Sequence, residues 1–175
     1  TLSVTLPTIP DGTYDYIADP NGLIAATSNE KYTGATFETE TNGATGIFFL
    51  TDKDNKSYTH KSAAQTVTNE NAQDIDVTVK LEQKTAGDSI IKYAESATFD
   101  SADKENKLYL AVTDDASSNT KVAALKETGV ATLTTTVPGV PSNYEPGYTE
   151  ADGYKYTKKT TGLVAWNTCS YILTG

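Results

Sequence analysis

The stretch "TVTNENAQDIDVTVKLE", Thr66–Glu82, decides the class of fold. Its second half alternates without a break: Ile75, Val77, Val79 and Leu81 fall on one side, Asp76, Thr78, Lys80 and Glu82 on the other. A period of two is the pattern of a strand with one buried face and one wet face. The four apolar residues are therefore expected in the core and the polar ones in solvent. The run just before it, "NENAQD" (Asn69–Asp74), is polar and reads as a turn that cannot belong to the core.

Working outward, the same period recurs. "TLSVTLP" sets Leu2, Val4 and Leu6 against Ser3 and Thr5, and Pro7 and Pro10, which cannot donate to a ladder, end the strand. Turn residues follow at Asp11-Gly12 and Pro20-Asn21-Gly22, with a short strand at Tyr14, Tyr16 and Ile17 between them. "LIAATSNEKY" fits a brief strand or one helical turn. "GATFETETNGATGIFFLTDKDNKSYTHKS" reads as a hairpin or meander, with a tight turn at Asn42-Gly43, a buried strand "GIFFLTD" and a turn "KDNK". "DSIIKYAESATF", "KLYLAVTD", "ATLTTTVPG", "YKYTKKT" and "CSYILTG" follow at regular spacing, whereas "PGVPSNYEPG" reads as turns. This is the pattern of a sandwich or barrel of roughly eight to ten strands. "KVAALKETG" is the one stretch that suits a short helix. The expected fold is all-β: an antiparallel β-sandwich, Ig-like or jelly-roll, with at most one or two short helices. A single domain over 1–175 is expected, in which residues 1–10 form a strand-exchange arm on a proline tether.

Composition narrows the function. The 175 residues carry 23 acids against 14 bases, a formal net charge of −9, and phosphate backbones repel such a chain. Nucleic acid is excluded as a partner on this ground. No run reaches the ~18 apolar residues of a membrane-spanning helix. The one cysteine, Cys169, allows no internal disulfide and reads as a small buried hydrophobe. The opening "TLSVTLP", with neither initiator Met nor basic leader, fits a mature secreted protein or simply a trimmed chain.

"SYTHKSAAQTVTNENAQDIDVTVKLE" resembles a segment of secreted surface proteins of Firmicutes: a polar run, T-V-T-N, a polar turn, and an alternating D-V-T-V strand. "KLYLAVTD" and "CSYILTG" resemble further strands of those proteins. The T-V-T-N…D-V-T-V pattern is also similar to the TasA/camelysin group of biofilm-matrix fibre proteins. The resemblance touches half of the chain and lies in strand and turn patterns, not in catalytic residues. It implies a secreted or cell-surface protein of Gram-positive type that associates with itself as a fibre or matrix subunit. Leu2, Val4 and Leu6 are then the candidate assembly strand, able to add to the edge of the next subunit.

Catalysis is not expected. His60 is the only histidine and reads as a surface residue; Cys169 has no other base to activate it. Glu38 and Glu40 share a face in "ETET", but neighbouring solvated glutamates on an edge strand give the same pattern as a glycosidase pair. No cofactor is expected, with calcium the one candidate. Asp52, Asp54 and Asn55 in "TDKDNK", and Asp100, Asp103, Glu105 and Asn106 in "DSADKEN", carry the hard oxygens it needs. Asp and Asn are equally the ordinary turn residues. The alternative function is a carbohydrate-binding or adhesin module with a glycan partner. Its platform would be Tyr144, Tyr148, Tyr154 and Tyr156 in "NYEPGYTEADGYKY", with Trp166 nearby, although the apolar run around Trp166 suits a core position.

Overall fold

The computed structural model describes residues 2–19, 23–26, 32–39, 46–83, 92–98, 107–115, 121–126 and 129–175. Over these the protein is all-β. Fifteen strands occur among the described residues, more than the eight to ten read from the runs: "KLYLAVTD" splits into two short strands, and stretches read as turn or possible helix form strands as well. The helical elements that lie wholly among the described residues are a single turn, α1 (Leu23–Ala26), and a 3-10 turn at Pro141–Asn143. The Asp19 carboxylate holds α1 by accepting the backbone N–H groups of Leu23 and Ile24, both at 2.8 Å. These are donors that a helix start leaves without intrahelical partners. Of the two readings of "LIAATSNEKY", the helical turn is the one formed.

The chain divides into two compact units, each gathered from separate segments: Thr1–Pro7, Thr66–Thr78 and Thr134–Ser170 form the first, and Thr8–Gln65, Val79–Leu133 and Tyr171–Gly175 the second. Three long strands, β7 (Ile75–Glu82), β12 (Val130–Val137) and β15 (Asn167–Thr174), give residues to both.

The second unit holds the main apolar cluster. Ile47 and Phe49 come from β4 (Ile47–Asp52), Val112 from β10 (Ala111–Asp114), Ala131 and Leu133 from β12 and Leu173 from β15, with Leu110 and Leu125 beside them. β4 pairs antiparallel with β2 (Tyr16–Ala18) and β5 (Ser57–Thr59). β10 pairs antiparallel with β15 and with β11 (Val122–Ala124). "KVAALKETG" therefore supplies a strand and not the short helix it also suited; the ladder of β10 outweighs a modest local helix preference. Two pairings are parallel, β3 (Thr36–Phe37) with β5 and β8 (Lys92–Ala94) with β9 (Lys107–Tyr109), against the purely antiparallel expectation. In the sheet order β2-β4-β5-β3, β3 reaches the outer edge of β5 after β4 has taken the other edge.

β7 keeps the expected phase: Asp76, Thr78, Lys80 and Glu82 are exposed, and the four alternating apolar residues face inward. Those four are half-buried, not fully buried as the alternation suggested. β7 pairs with β12 in a two-stranded sheet. Val79 and Leu81 still pack against the main cluster.

The first unit contains β1 (Val4–Thr5), most of β6 (Gln65–Asn69), and the hairpin of β13 (Tyr144–Thr149) and β14 (Gly153–Lys158). Residues from Tyr144 in "PGVPSNYEPG" are thus strand, not turn. The reading of "NENAQD" as wholly outside the core is also corrected, since Asn69 is 0% exposed. Its Nδ2 donates to the carbonyls of Gln73 (3.0 Å), Val137 (2.9 Å) and Pro138 (3.1 Å), and its Oδ1 accepts from the N and Nδ2 of Asn71 at 3.0 and 2.8 Å. An amide satisfied this fully can be buried without the usual penalty. Gly139 passes so close to the Ala72–Gln73 backbone that a Cβ there would strike it, which makes glycine a requirement at this position.

Candidate functional site

Two features of the first unit carry exposed, chemically useful side chains, and Glu70 connects them. One is the edge strand β1. Its ladder on β6 is only two residues long, Val4 opposite Asn69 and Thr5 opposite Thr68. The turn after β6 clasps it further. Ser3 N donates to Asn71 Oδ1 at 3.0 Å, while Ser3 O accepts from Glu70 N at 3.1 Å and Asn71 Nδ2 at 2.8 Å. Thr5 Oγ1 donates to Glu70 Oε1 at 2.7 Å. The clasp is polar, and the apolar side chains gain little from it. Val4 is half-buried, whereas Leu2 is 71% and Leu6 69% exposed.

Glu70 also accepts from Lys158 Nζ at Oε2, 2.7 Å, and its backbone carbonyl accepts the Tyr144 hydroxyl at 2.6 Å. The Lys158 hydrogen bond, followed by that of Thr5, holds the Glu70 carboxyl below the usual carboxylate range. A carboxyl whose pKa is lowered on folding stabilises the fold above its unfolded pKa and loses that contribution as pH falls through the lower, folded value. Acid should therefore loosen β1. The amide resonances of Ser3 and Thr5 are expected to shift as pH is lowered from 6 to 3, and Glu70→Gln should abolish that dependence.

The second feature is the β13–β14 ribbon. Its register sets Tyr144 opposite Lys158, Pro146 opposite Tyr156, and Tyr148 opposite Tyr154. Directly opposed residues of an antiparallel pair share a face. All four tyrosines therefore stand on one face, with Pro146 and Lys158, while Glu145, Lys155 and Thr157 occupy the other. Tyr148, Tyr154 and Tyr156 are 62%, 87% and 73% exposed. The Tyr148 and Tyr154 rings meet at 4.9 Å, tilted by 53°. Trp166 is half-buried at the root of the ribbon, not in the core: the Tyr144 ring meets it edge-on at 6.3 Å, and Lys158 Nζ lies 4.8 Å over its face. Beside the root opens a cleft of about 570 Å³, walled by Tyr144, Tyr156 and Leu2 and floored by the 71–75 turn. In that turn Asp74 Oδ1 accepts from Gly139 N at 2.9 Å. The second oxygen of Asp74 and the side-chain amide of Gln73 have no partner among the described residues.

The remaining candidates fall elsewhere. Asp52 caps its own turn: Oδ1 accepts from the N of Asp54 (3.0 Å) and Asn55 (2.9 Å), and Oδ2 from Asn55 Nδ2 (2.7 Å). These bonds hold its carboxyl below the usual range. Among the described residues no three His, Cys, Asp or Glu side chains converge as a metal site requires, and Asp100, Asp103, Glu105 and Asn106 lie outside those residues. Glu38 accepts the His60 backbone N–H at 2.8 Å, and Glu40 also lies outside the described residues. His60 is half-buried, a correction to its reading as a surface residue: its ring lies 4.6 Å from that of Phe48, and Nδ1 donates to the Ile47 carbonyl at 3.1 Å. Cys169 is half-buried on β15.

Sequence reasoning missed a second aromatic cleft, of about 390 Å³, where Tyr14, Tyr16, Tyr32 and Tyr58 gather near Asp15. These tyrosines are distant in sequence and only the fold collects them. Several are engaged in packing, Tyr16 on Phe49 at 6.0 Å and Tyr32 on Tyr58 at 6.1 Å, and burial pushes the Tyr14 and Tyr16 hydroxyl pKa values up.

Fold and site together define an all-β protein with a short edge strand in a polar clasp and an exposed aromatic ribbon. Comparisons with protein-family models, curated proteins and solved structures find no match to this chain.

Proposed function

We propose that the chain is a subunit of an extracellular structural assembly, joined to its neighbours by donation of the N-terminal strand. The observation that carries this reading is the exposure of Leu2 and Leu6 on a strand anchored by two ladder residues. The contact of β1 with β6 is the same whether β1 comes from its own chain or from the next. In the second case the apolar side chains can also be covered by the neighbour, at roughly 1.5–3 kcal/mol for each one fully buried. Pro7 and Pro10 favour an extended exit in place of a tight hairpin, which suits a strand that reaches across. Head-to-tail donation does not close on itself, so it builds filaments. The resemblance to secreted surface proteins supports the extracellular, cell-surface setting, and the reading assigns no catalytic step. With a net charge of −9 the subunits repel one another, so assembly should strengthen with salt.

Deleting residues 1–6 tests the reading. The expected product is a monomer by sedimentation, with an unchanged β-sheet circular dichroism signal and no filaments in electron micrographs, where the full chain gives filaments. Loss of the β-sheet signal on deletion would instead place β1 permanently in its own sheet.

A further inference from the structure

We propose that the tyrosine face of the β13–β14 ribbon, with the cleft at its root, is a binding site for a neutral polysaccharide. This goes beyond the assembly reading and shares with it only Leu2, at the wall of the cleft. Tyrosine rings in a soluble protein ordinarily bury much of their large apolar surface. Here three of them stand 62–87% exposed, side by side, on a ribbon whose register holds them on one face. From Tyr144 to Tyr148 the face covers four residue steps at roughly 3.4 Å each, about 14 Å. That length suits a short run of sugar rings better than a single one.

The ring faces carry negative π-density, and the C–H faces of a pyranose present the positive edge that complements them. Stacking alone does not select a sugar, but the cleft adds the second requirement. The free oxygen of Asp74 can accept from sugar hydroxyls, and the Gln73 amide can both donate and accept. The pairing of exposed rings with a carboxylate and an amide is the chemistry of a polyhydroxylated ligand. Charge narrows the class further. Lys158, the cation on this face, is engaged by Glu70, and the chain as a whole is strongly acidic. An anionic polysaccharide would meet the unpaired oxygen of Asp74 and the field of the chain, so the ligand is neutral. The same charge opposes stacking of two ribbons from separate copies.

Affinity electrophoresis of the full chain, in native gels containing hydroxyethylcellulose, xyloglucan or soluble starch, tests the proposal, with polygalacturonate as the acidic comparison. Retardation is expected in at least one neutral gel and not in polygalacturonate. Tyr154→Ala with Tyr156→Ala should weaken retention roughly tenfold or more, with Asp74→Asn intermediate. Lys155→Ala, on the opposite face, should change nothing. All these positions are solvent-exposed, so circular dichroism should confirm that each variant folds. No retardation in any neutral gel, retardation by polygalacturonate alone, or unchanged retention in the double tyrosine variant would each overturn the proposal. So would a double tyrosine variant that loses self-association while the full chain is never retarded, because the face would then be an interface between copies. Ribbon variants that lose retention yet sediment as the full chain does leave the assembly reading untouched.

Discussion

Asn69→Asp is expected to unfold the first unit, although the two side chains are nearly identical in shape. The amide nitrogen of Asn69 donates to three backbone carbonyls and no part of the residue reaches solvent. Aspartate puts an acceptor where those carbonyls need a donor, and it puts a charge where the partners of the side chain are all neutral backbone and amide groups. Each buried polar group left unpaired costs about 1–3 kcal/mol, and an uncompensated buried charge about 3–5 kcal/mol. Either figure is large against the ~5–15 kcal/mol that holds a typical domain together. Thermal denaturation should show the transition lost or lowered far beyond the effect of Asn71→Asp, whose side chain is only partly buried. Equal tolerance of the two changes would mean that Asn69 is not the hub of this turn.

The second large effect is expected in the apolar cluster, where three aspartate substitutions should rank by burial. Val112 is 0% exposed on β10, and Val112→Asp leaves a charge with no partner among apolar side chains. A loss of about 3–5 kcal/mol is expected, enough to populate the unfolded state. Val79 is half-buried at the margin of the same cluster, so water can reach part of an aspartate there; about 2 kcal/mol is expected for Val79→Asp. Thr78, one residue earlier, faces solvent, and Thr78→Asp should change stability by no more than about 0.5 kcal/mol. Urea denaturation of the three variants measures the order. A Thr78→Asp chain less stable than Val79→Asp would mean that β7 is shifted by one residue, since a slip of one exchanges its faces.

The fold class was legible because it rests on a local signal. In β7 alternation alone gives the phase of every side chain, and the turn read at "KDNK" is the one that Asp52 caps. What escaped the sequence depends on partners far along the chain. Asn69 is polar and sits in a polar run; it is buried because carbonyls from Val137 and Pro138 arrive to meet it. β11 is a strand because β10 offers a ladder. The tyrosines of the ribbon were visible as a group, and so was their even spacing, four residues apart in β13 and two in β14. Their common face needed the register, which pairs Tyr148 with Tyr154 across the Thr149–Gly153 turn. The apolar alternation of β1 was equally plain, yet alternation by itself does not say that Leu2 and Leu6 stay uncovered.

Strand donation is tested most directly by cross-linking between two singly substituted chains, each in a Cys169→Ser background. Thr5 and Thr68 are directly opposed in the β1–β6 pair, and opposed antiparallel positions fall within the Cα separations that a disulfide spans. One chain carries Thr5→Cys and the other Thr68→Cys; they are mixed under assembly conditions and oxidised. A covalent dimer is expected on a non-reducing gel, lost with reductant, together with covalent ladders from a chain carrying both cysteines. No dimer from the mixture, with the doubly substituted chain closing its disulfide wholly within the monomer, would contradict strand donation.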